Sequence, residues 1–180
     1  MQQVTLPNVA LIGFMGTGKS LLGRMLAQRW GWRFVDTDSL IEEQVGCSVA
    51  QIFERFGEEY FRRQETEVLR SLEHQRHLVI ATGGGVPTRP ENVRSLRRHA
   101  VIVLLTAEPE VILQRVQPVE TRPKLSTAPD PLAEIRRLLR ERETAYACAD
   151  IRIDTSTLSP SEAVLRIEEL VKAWKPTPPP

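Results

Sequence analysis

The stretch "LIGFMGTGKS", residues 11–20, decides the fold. Apolar residues give way there to glycines, a lysine and a serine. The segment before and into it, "NVALIGF" (8–14), reads as a buried strand. The segment after it, "KSLLGRMLAQRW" (19–30), sets Leu22, Met25, Leu26 and Trp30 on one helical face. Between them Gly13, Gly18, Lys19 and Ser20 satisfy G-x-x-x-x-G-K-[ST]. Glycines let the backbone curl so that its N–H groups point inward and form an anion cavity. The helix that follows adds its positive end. Lys19 brings a cation for outer phosphates, and the Ser20 hydroxyl is suited to Mg²⁺. A strand before and a helix after are the context that this motif requires.

The rest of the chain repeats the strand-then-helix rhythm. Further strands are read at 32–38, 77–85, 100–107 and 150–156, which gives five with the first. Helices are read at 39–45, 48–57, 58–74, 108–116, 130–149 and 160–174. Ser48 and Gln51 are placed as a capping box, Gly57 as a stop, and Pro131 in a first turn. This alternation predicts an α/β fold of three layers, a five-stranded parallel sheet flanked by helices. Ligands in such folds sit beyond the carboxyl ends of the strands. Those ends carry "GFMGTGKS", "DTD", "GGG" and "DTS".

Composition narrows the function classes. The 180 residues fit one domain, with residues 1–175 as its body and "KPTPPP" as a loose proline tail. A net charge of +1 gives no field for nucleic acid or an acidic membrane, so an anion site must be local. Cys47 and Cys148 lack metal or disulfide spacing. No apolar run reaches membrane-spanning length, and no secretory pattern opens the chain. The expected location is the cytoplasm.

The chemistry-bearing residues follow the strands. Asp36 and Asp38 come about twenty residues after the loop, and phosphoryl transfer needs both a held metal and an oriented hydroxyl. Asp38 is otherwise an N-cap for 39–45. Arg62 and Arg63 share a helix; the plain reading pairs them with Glu65 or Glu67 on an exposed face. Arg62, next to Phe61, is the one placed to turn inward, which periodicity alone does not decide. Arg142 stands among other helix arginines, and arginine suits carboxylate or phosphate. Three glycines in a row, Gly83, Gly84 and Gly85, imply that something approaches the backbone closely. The segment "QPVETRPKLSTAPD" (117–130) fits no element and reads as a lid carrying Arg122, or else as a surface loop. His74, His77 and His99 are read as surface or element-end residues, and Trp30, Trp32 and Trp174 as packing.

Taken in order, "GFMGTGKS", "DTD", "SVAQIFERFGEEYFRRQE", "GGG" and a lid "RP" resemble shikimate kinase over residues 7 to 172. The resemblance implies a P-loop fold similar to nucleoside monophosphate kinases, with a mobile lid at about 117–130. It implies phosphorylation of the 3-hydroxyl of shikimate by ATP with Mg²⁺, toward chorismate and aromatic amino acids, by a monomer. ATP would lie on Gly13, Met15, Gly16, Thr17, Gly18, Lys19, Ser20 and Leu21, with Arg115, Arg122 and Asp154. Ser20 and Asp36 would hold Mg²⁺, partly through water. Asp38, Lys19 and Arg122 would be catalytic. Asp38, Arg62, Gly83, Gly84, Gly85 and Arg142 would bind shikimate. Lys124 stands where the family usually has leucine, and the proline tail is outside the pattern. The alternatives are a gluconate-type or nucleotide kinase on the same scaffold, and a nucleotide-binding protein without catalysis.

Overall fold

The computed structural model describes residues 6–117, 123–126 and 128–175. Five strands form one sheet in the order β2-β3-β1-β4-β5, with every adjacent pair parallel. They are β1 (Asn8–Ile12), β2 (Arg33–Asp36), β3 (Leu78–Ala81), β4 (Ala100–Thr106) and β5 (Ile151–Asp154). Each lies within its predicted range but is shorter. The excess at the carboxyl ends belongs to loops and, after β2, to the first turn of a helix, which leave the sheet and build the site.

Alternation along the strands explains the layers. Val9 and Leu11 of β1, with Val101 and Val103 of β4, face α1 (Lys19–Trp30) and α8 (Pro160–Ala173) through Leu22, Leu26, Val164 and Ile167. Ala10, Ile12, Ile102 and Leu104 face the other way, against Leu69, Leu96 and Tyr146. Strands buried on both faces read as continuous apolar runs, as these do. Trp30, Trp32 and Trp174 pack at the margin of the first layer. Cys47 and Cys148 are free thiols, half-buried.

Helix α2 (Thr37–Val45) begins earlier than expected, because its N-cap is Asp36 and not Asp38: an Asp36 oxygen accepts from the Asp38 N–H. Asp38 thus lies in the first turn, its carboxylate released from capping. The capping box of Ser48 and Gln51 opens α3 (Val49–Leu72). Gly57, the expected stop, breaks that helix with φ 81° and ψ 170°, after which it resumes to Leu72. Three elements were not foreseen: a 3-10 turn at Val86–Thr88, α4 (Pro90–Arg97), which starts on a proline, and the single turn α6 (Pro123–Ser126).

Beyond β4 lie α5 (Pro109–Arg115), a single helical turn α6 (Pro123–Ser126) within the expected lid, and α7 (Pro131–Tyr146). Residues 118–122, with Arg122, and the tail 176–180 lie outside the described residues. His99 does stand at an element end but is buried, its Nδ1 3.0 Å from the Ser95 carbonyl oxygen, and burial lowers its pKa. No helix among the described residues is long and apolar enough to cross a membrane.

Helix α1 seats closely because Gly23 carries no side chain. A Cβ there would stand 2.6 Å from Phe34 Cε2 and 3.3 Å from Leu11 Cδ1. Gly23→Val is expected to lower stability by about 1–3 kcal/mol through overpacking. Urea denaturation checks this, and an unchanged midpoint would mean that α1 does not need this contact.

Candidate active site

The carboxyl ends of β1, β2 and β3, with the first turns of α1 and α2 and the middle of α3, enclose a cleft of about 1060 Å³. The loop after β1 forms its floor. Gly13 holds φ 140° because a Cβ would lie 2.3 Å from the Leu105 carbonyl oxygen, so the loop presses against the end of β4. Gly18 caps α1 at φ 98° with no side-chain acceptor, which leaves the first N–H groups of that helix facing the cleft. Met15, Gly16, Thr17, Gly18, Lys19, Ser20 and Leu21 all line the cleft. Gly13 does not; its carbonyl and that of Phe14 each accept from Lys19 Nζ at 2.8 Å. The ammonium is thereby held over a ring of amides. Such a ring with a cation above it binds phosphate.

Oxygen ligands stand beside this loop. Ser20 Oγ donates to Asp36 Oδ2 at 2.7 Å, and both residues line the cleft. Hard oxygen donors of this kind suit Mg²⁺, which takes one or two protein ligands and completes its shell with phosphates and water. Among the described residues no cluster of three His, Cys, Asp or Glu gathers elsewhere to hold a metal.

Arg115 and the end of β5 close one side of the cleft. Arg115 donates to Thr155 Oγ1 at 2.9 Å and to the Thr155 carbonyl at 2.7 Å, and approaches Gly16 O at 3.4 Å. Buried Thr155 in turn lies 3.1 Å from the Thr17 carbonyl oxygen. Asp154 does not line the cleft; it faces away, accepting from the Ser156 N–H at 2.8 Å. Of this strand end, Thr155 is the residue that lines the cleft. Alternation puts neighbouring strand residues on opposite faces, which separates Thr155 from Asp154.

On the other side lies the glycine run. A Cβ on Gly83 would meet Glu65 Oε1 at 2.5 Å and Asp38 Oδ1 at 2.8 Å. One on Gly84 would meet Arg142 Nη1 at 2.9 Å, and one on Gly85 would meet Arg62 Nη1 at 2.2 Å. Four charged side chains thus press on three α-carbons. The same run abuts the phosphate loop: the Gly84 position would lie 3.4 Å from Gly13 O and 4.0 Å from Met15 N.

These charges are not balanced alike. Asp38 Oδ1 is buried and has no hydrogen-bond partner among the described residues. Burial, then the neighbouring Asp36 charge, raise the Asp38 pKa to about 6, against the pull of Lys19 and Arg62. Arg62 donates to Glu65 at 2.7 Å and to Glu58 at 2.8 Å. Glu65 therefore belongs to Arg62, not Arg63; Arg63 is exposed, with its guanidinium over Tyr60. Arg142 is buried, donates to Gly84 O at 3.2 Å and lies 5.2 Å from the Phe14 ring centre. Among the described residues no carboxylate pairs with it. A buried guanidinium with no carboxylate partner among the described residues is suited to an anion.

Sequence reasoning missed Glu65 as a site residue. Its burial raises its pKa, opposed mainly by Arg62, and its Oε1 lacks a partner among the described residues. The signal was present in the periodicity. Glu65 lies four residues after Phe61 and three before Val68, both buried, so an acid stands on the apolar stripe of α3.

The shikimate kinase family model matches residues 15–172. The chain is 48% identical to a shikimate kinase of Geobacter sulfurreducens, over 92% of this chain and 91% of that one. It is 45% identical to one of Caldanaerobacter subterraneus, over 93% and 95%. Among solved structures, it is similar to shikimate kinase from Acinetobacter baumannii in complex with shikimate, at TM-score 0.88 and 37% identity over 94% of both chains. The Aquifex aeolicus enzyme gives TM-score 0.77 and 34% identity over 92% of this chain and 96% of that one. The phosphate loop alone would leave many nucleotide-binding families open; the whole-length match closes the choice, and the chain belongs to the shikimate kinase family of ATP-dependent kinases.

Proposed function

We propose that this chain transfers the γ-phosphoryl group of ATP to the 3-hydroxyl of shikimate, with Asp38 as the group that receives the hydroxyl proton. The observation that carries this reading is a juxtaposition. A buried carboxylate oxygen and a buried guanidinium, neither with a side-chain charge partner among the described residues, face the same glycine run, and that run abuts the phosphate loop. A ligand with a hydroxyl at one end and a carboxylate at the other fits that pair. The alternative of a nucleotide acceptor leaves Asp38 without its role, and a non-catalytic protein would not need it.

The loop amides and the α1 N-terminus bind the phosphates, and Lys19 follows the charge on the outer ones. Ser20 and Asp36 would hold Mg²⁺, which when bound neutralises phosphate charge. Arg142 and Arg62 clamp the acid, which fixes the ring and aims the 3-hydroxyl. Asp38 accepts the hydroxyl proton while that oxygen bonds to the γ-phosphorus and ADP leaves. Its raised pKa makes it a better base than an exposed carboxylate. Arg115 and Thr155 border the base of the nucleotide. Arg122, outside the described residues, is assigned to charge stabilisation at lid closure.

Two substitutions test the assignment. Asp38→Asn keeps the shape and removes the base, so kcat should fall by about 10²–10⁴-fold. Calorimetry should show ATP binding changed less than about threefold; wild-type turnover would end the role of Asp38. Arg142→Ala removes a charge-assisted contact, so the KM for shikimate should rise by about 10–100-fold while that for ATP holds. Steady-state kinetics in both substrates separates the two, and a rise confined to ATP would place Arg142 elsewhere.

A further inference from the structure

The two arginines that flank the glycine run differ in one respect. Arg142 faces no carboxylate among the described residues, whereas both terminal nitrogens of Arg62 already do: Nη1 meets Glu65 Oε2 at 2.7 Å, and Nη2 meets Glu58 Oε1 at 2.8 Å. A substrate carboxylate that bridges the two guanidiniums therefore meets an arginine whose outer edge is already taken.

The two glutamates are not equivalent holders of that arginine. The Glu65 side chain is 0% exposed, so leaving Arg62 would strand its charge away from water. The Glu58 side chain is 53% exposed. It can swing into solvent and rehydrate, so leaving Arg62 costs it less than it would cost Glu65. Glu58 is also the first residue after the break at Gly57, where the helix resumes. Its side chain lines the same cleft as Arg62, Arg142 and the glycine run.

We propose that Glu58 sets the affinity of the site for acids: its carboxylate occupies the edge of Arg62 that the substrate carboxylate must take, and is displaced into solvent when substrate binds. This rests on the reading of Arg62 and Arg142 as the carboxylate clamp. Glu65 holds the guanidinium in place, and Glu58 acts as a resident competitor. The physical consequence is quantitative. A competitor weakens every ligand that needs the same edge by one common factor, and leaves ligands that do not need it untouched. Small anions, which hold on by charge alone, are thereby kept weak, while shikimate still binds through its hydroxyl side.

The test measures equilibrium binding of shikimate, benzoate and ATP to the intact protein, wild-type and with Glu58→Gln, Glu58→Ala or Arg142→Ala. Benzoate carries a carboxylate without the ring hydroxyls. Both Glu58 variants should bind shikimate and benzoate more tightly by the same factor, about two- to fivefold. Their affinity for ATP should stay at the wild-type value. A purely structural role for Glu58, in which it orients Arg62, would weaken both acids instead. Unchanged or weaker acid binding in the Glu58 variants, with Arg142→Ala still weakening shikimate, would overturn the competitor alone. Undiminished shikimate binding in Arg142→Ala would overturn the clamp, and the competitor with it.

Discussion

Four charged side chains converge in this protein where the backbone carries none of its own. Asp38, Glu65, Arg142 and Arg62 all crowd the α-carbons of Gly83, Gly84 and Gly85, at separations that no side chain on those residues would allow. The electrostatics of the site follows from that crowding. Two carboxylate oxygens meet at one point without hydrogen-bond partners among the described residues, and both acids are pushed toward the neutral form by burial. Two guanidiniums are held a residue apart along the run. The parallel sheet supplies the frame, because it brings the ends of β1, β2 and β3 side by side. The Gly83 N–H donates to Thr37 Oγ1 at 3.0 Å, which ties the run to the start of α2 and so to Asp38.

The architecture and most of the site were legible in the sequence, for reasons particular to each part. The strands were visible because a doubly covered sheet has no polar face, so β1 and β4 are almost unbroken apolar runs. The phosphate loop was legible because its glycines are demanded locally, by the loop's own curl. Gly83–Gly85 were legible only as a demand for closeness. What comes close to them arrives from α2, α3 and α7, at separations of about twenty to sixty residues, and no local pattern encodes that. Glu65 was hidden for the same reason, since an acid on an apolar stripe is explained only by the arginine and glycine that it meets.

Other differences between the sequence reading and the structure are also local in origin. Asp36 and Asp38 compete for one capping role, and the backbone gives it to Asp36, which frees Asp38 for the cleft. The helix α4 escaped notice because it is short and carries few apolar residues, although Asn92 within it is fully buried and donates to the Val86 carbonyl just past the glycine run. Thr155, not Asp154, touches the loop, and only side-chain alternation at the end of β5 separates the two.

The account turns on where the acceptor hydroxyl lies. The most direct measurement is a crystal structure of this protein with shikimate and a non-hydrolysable ATP analogue with Mg²⁺. The account predicts the 3-hydroxyl within about 2.6–3.2 Å of Asp38 Oδ1, the distance for proton transfer. The carboxylate should then lie against Arg142 and the terminal phosphate over the N–H groups at the start of α1. A ring whose carboxylate avoids Arg142, or a 3-hydroxyl beyond reach of Asp38, would contradict it.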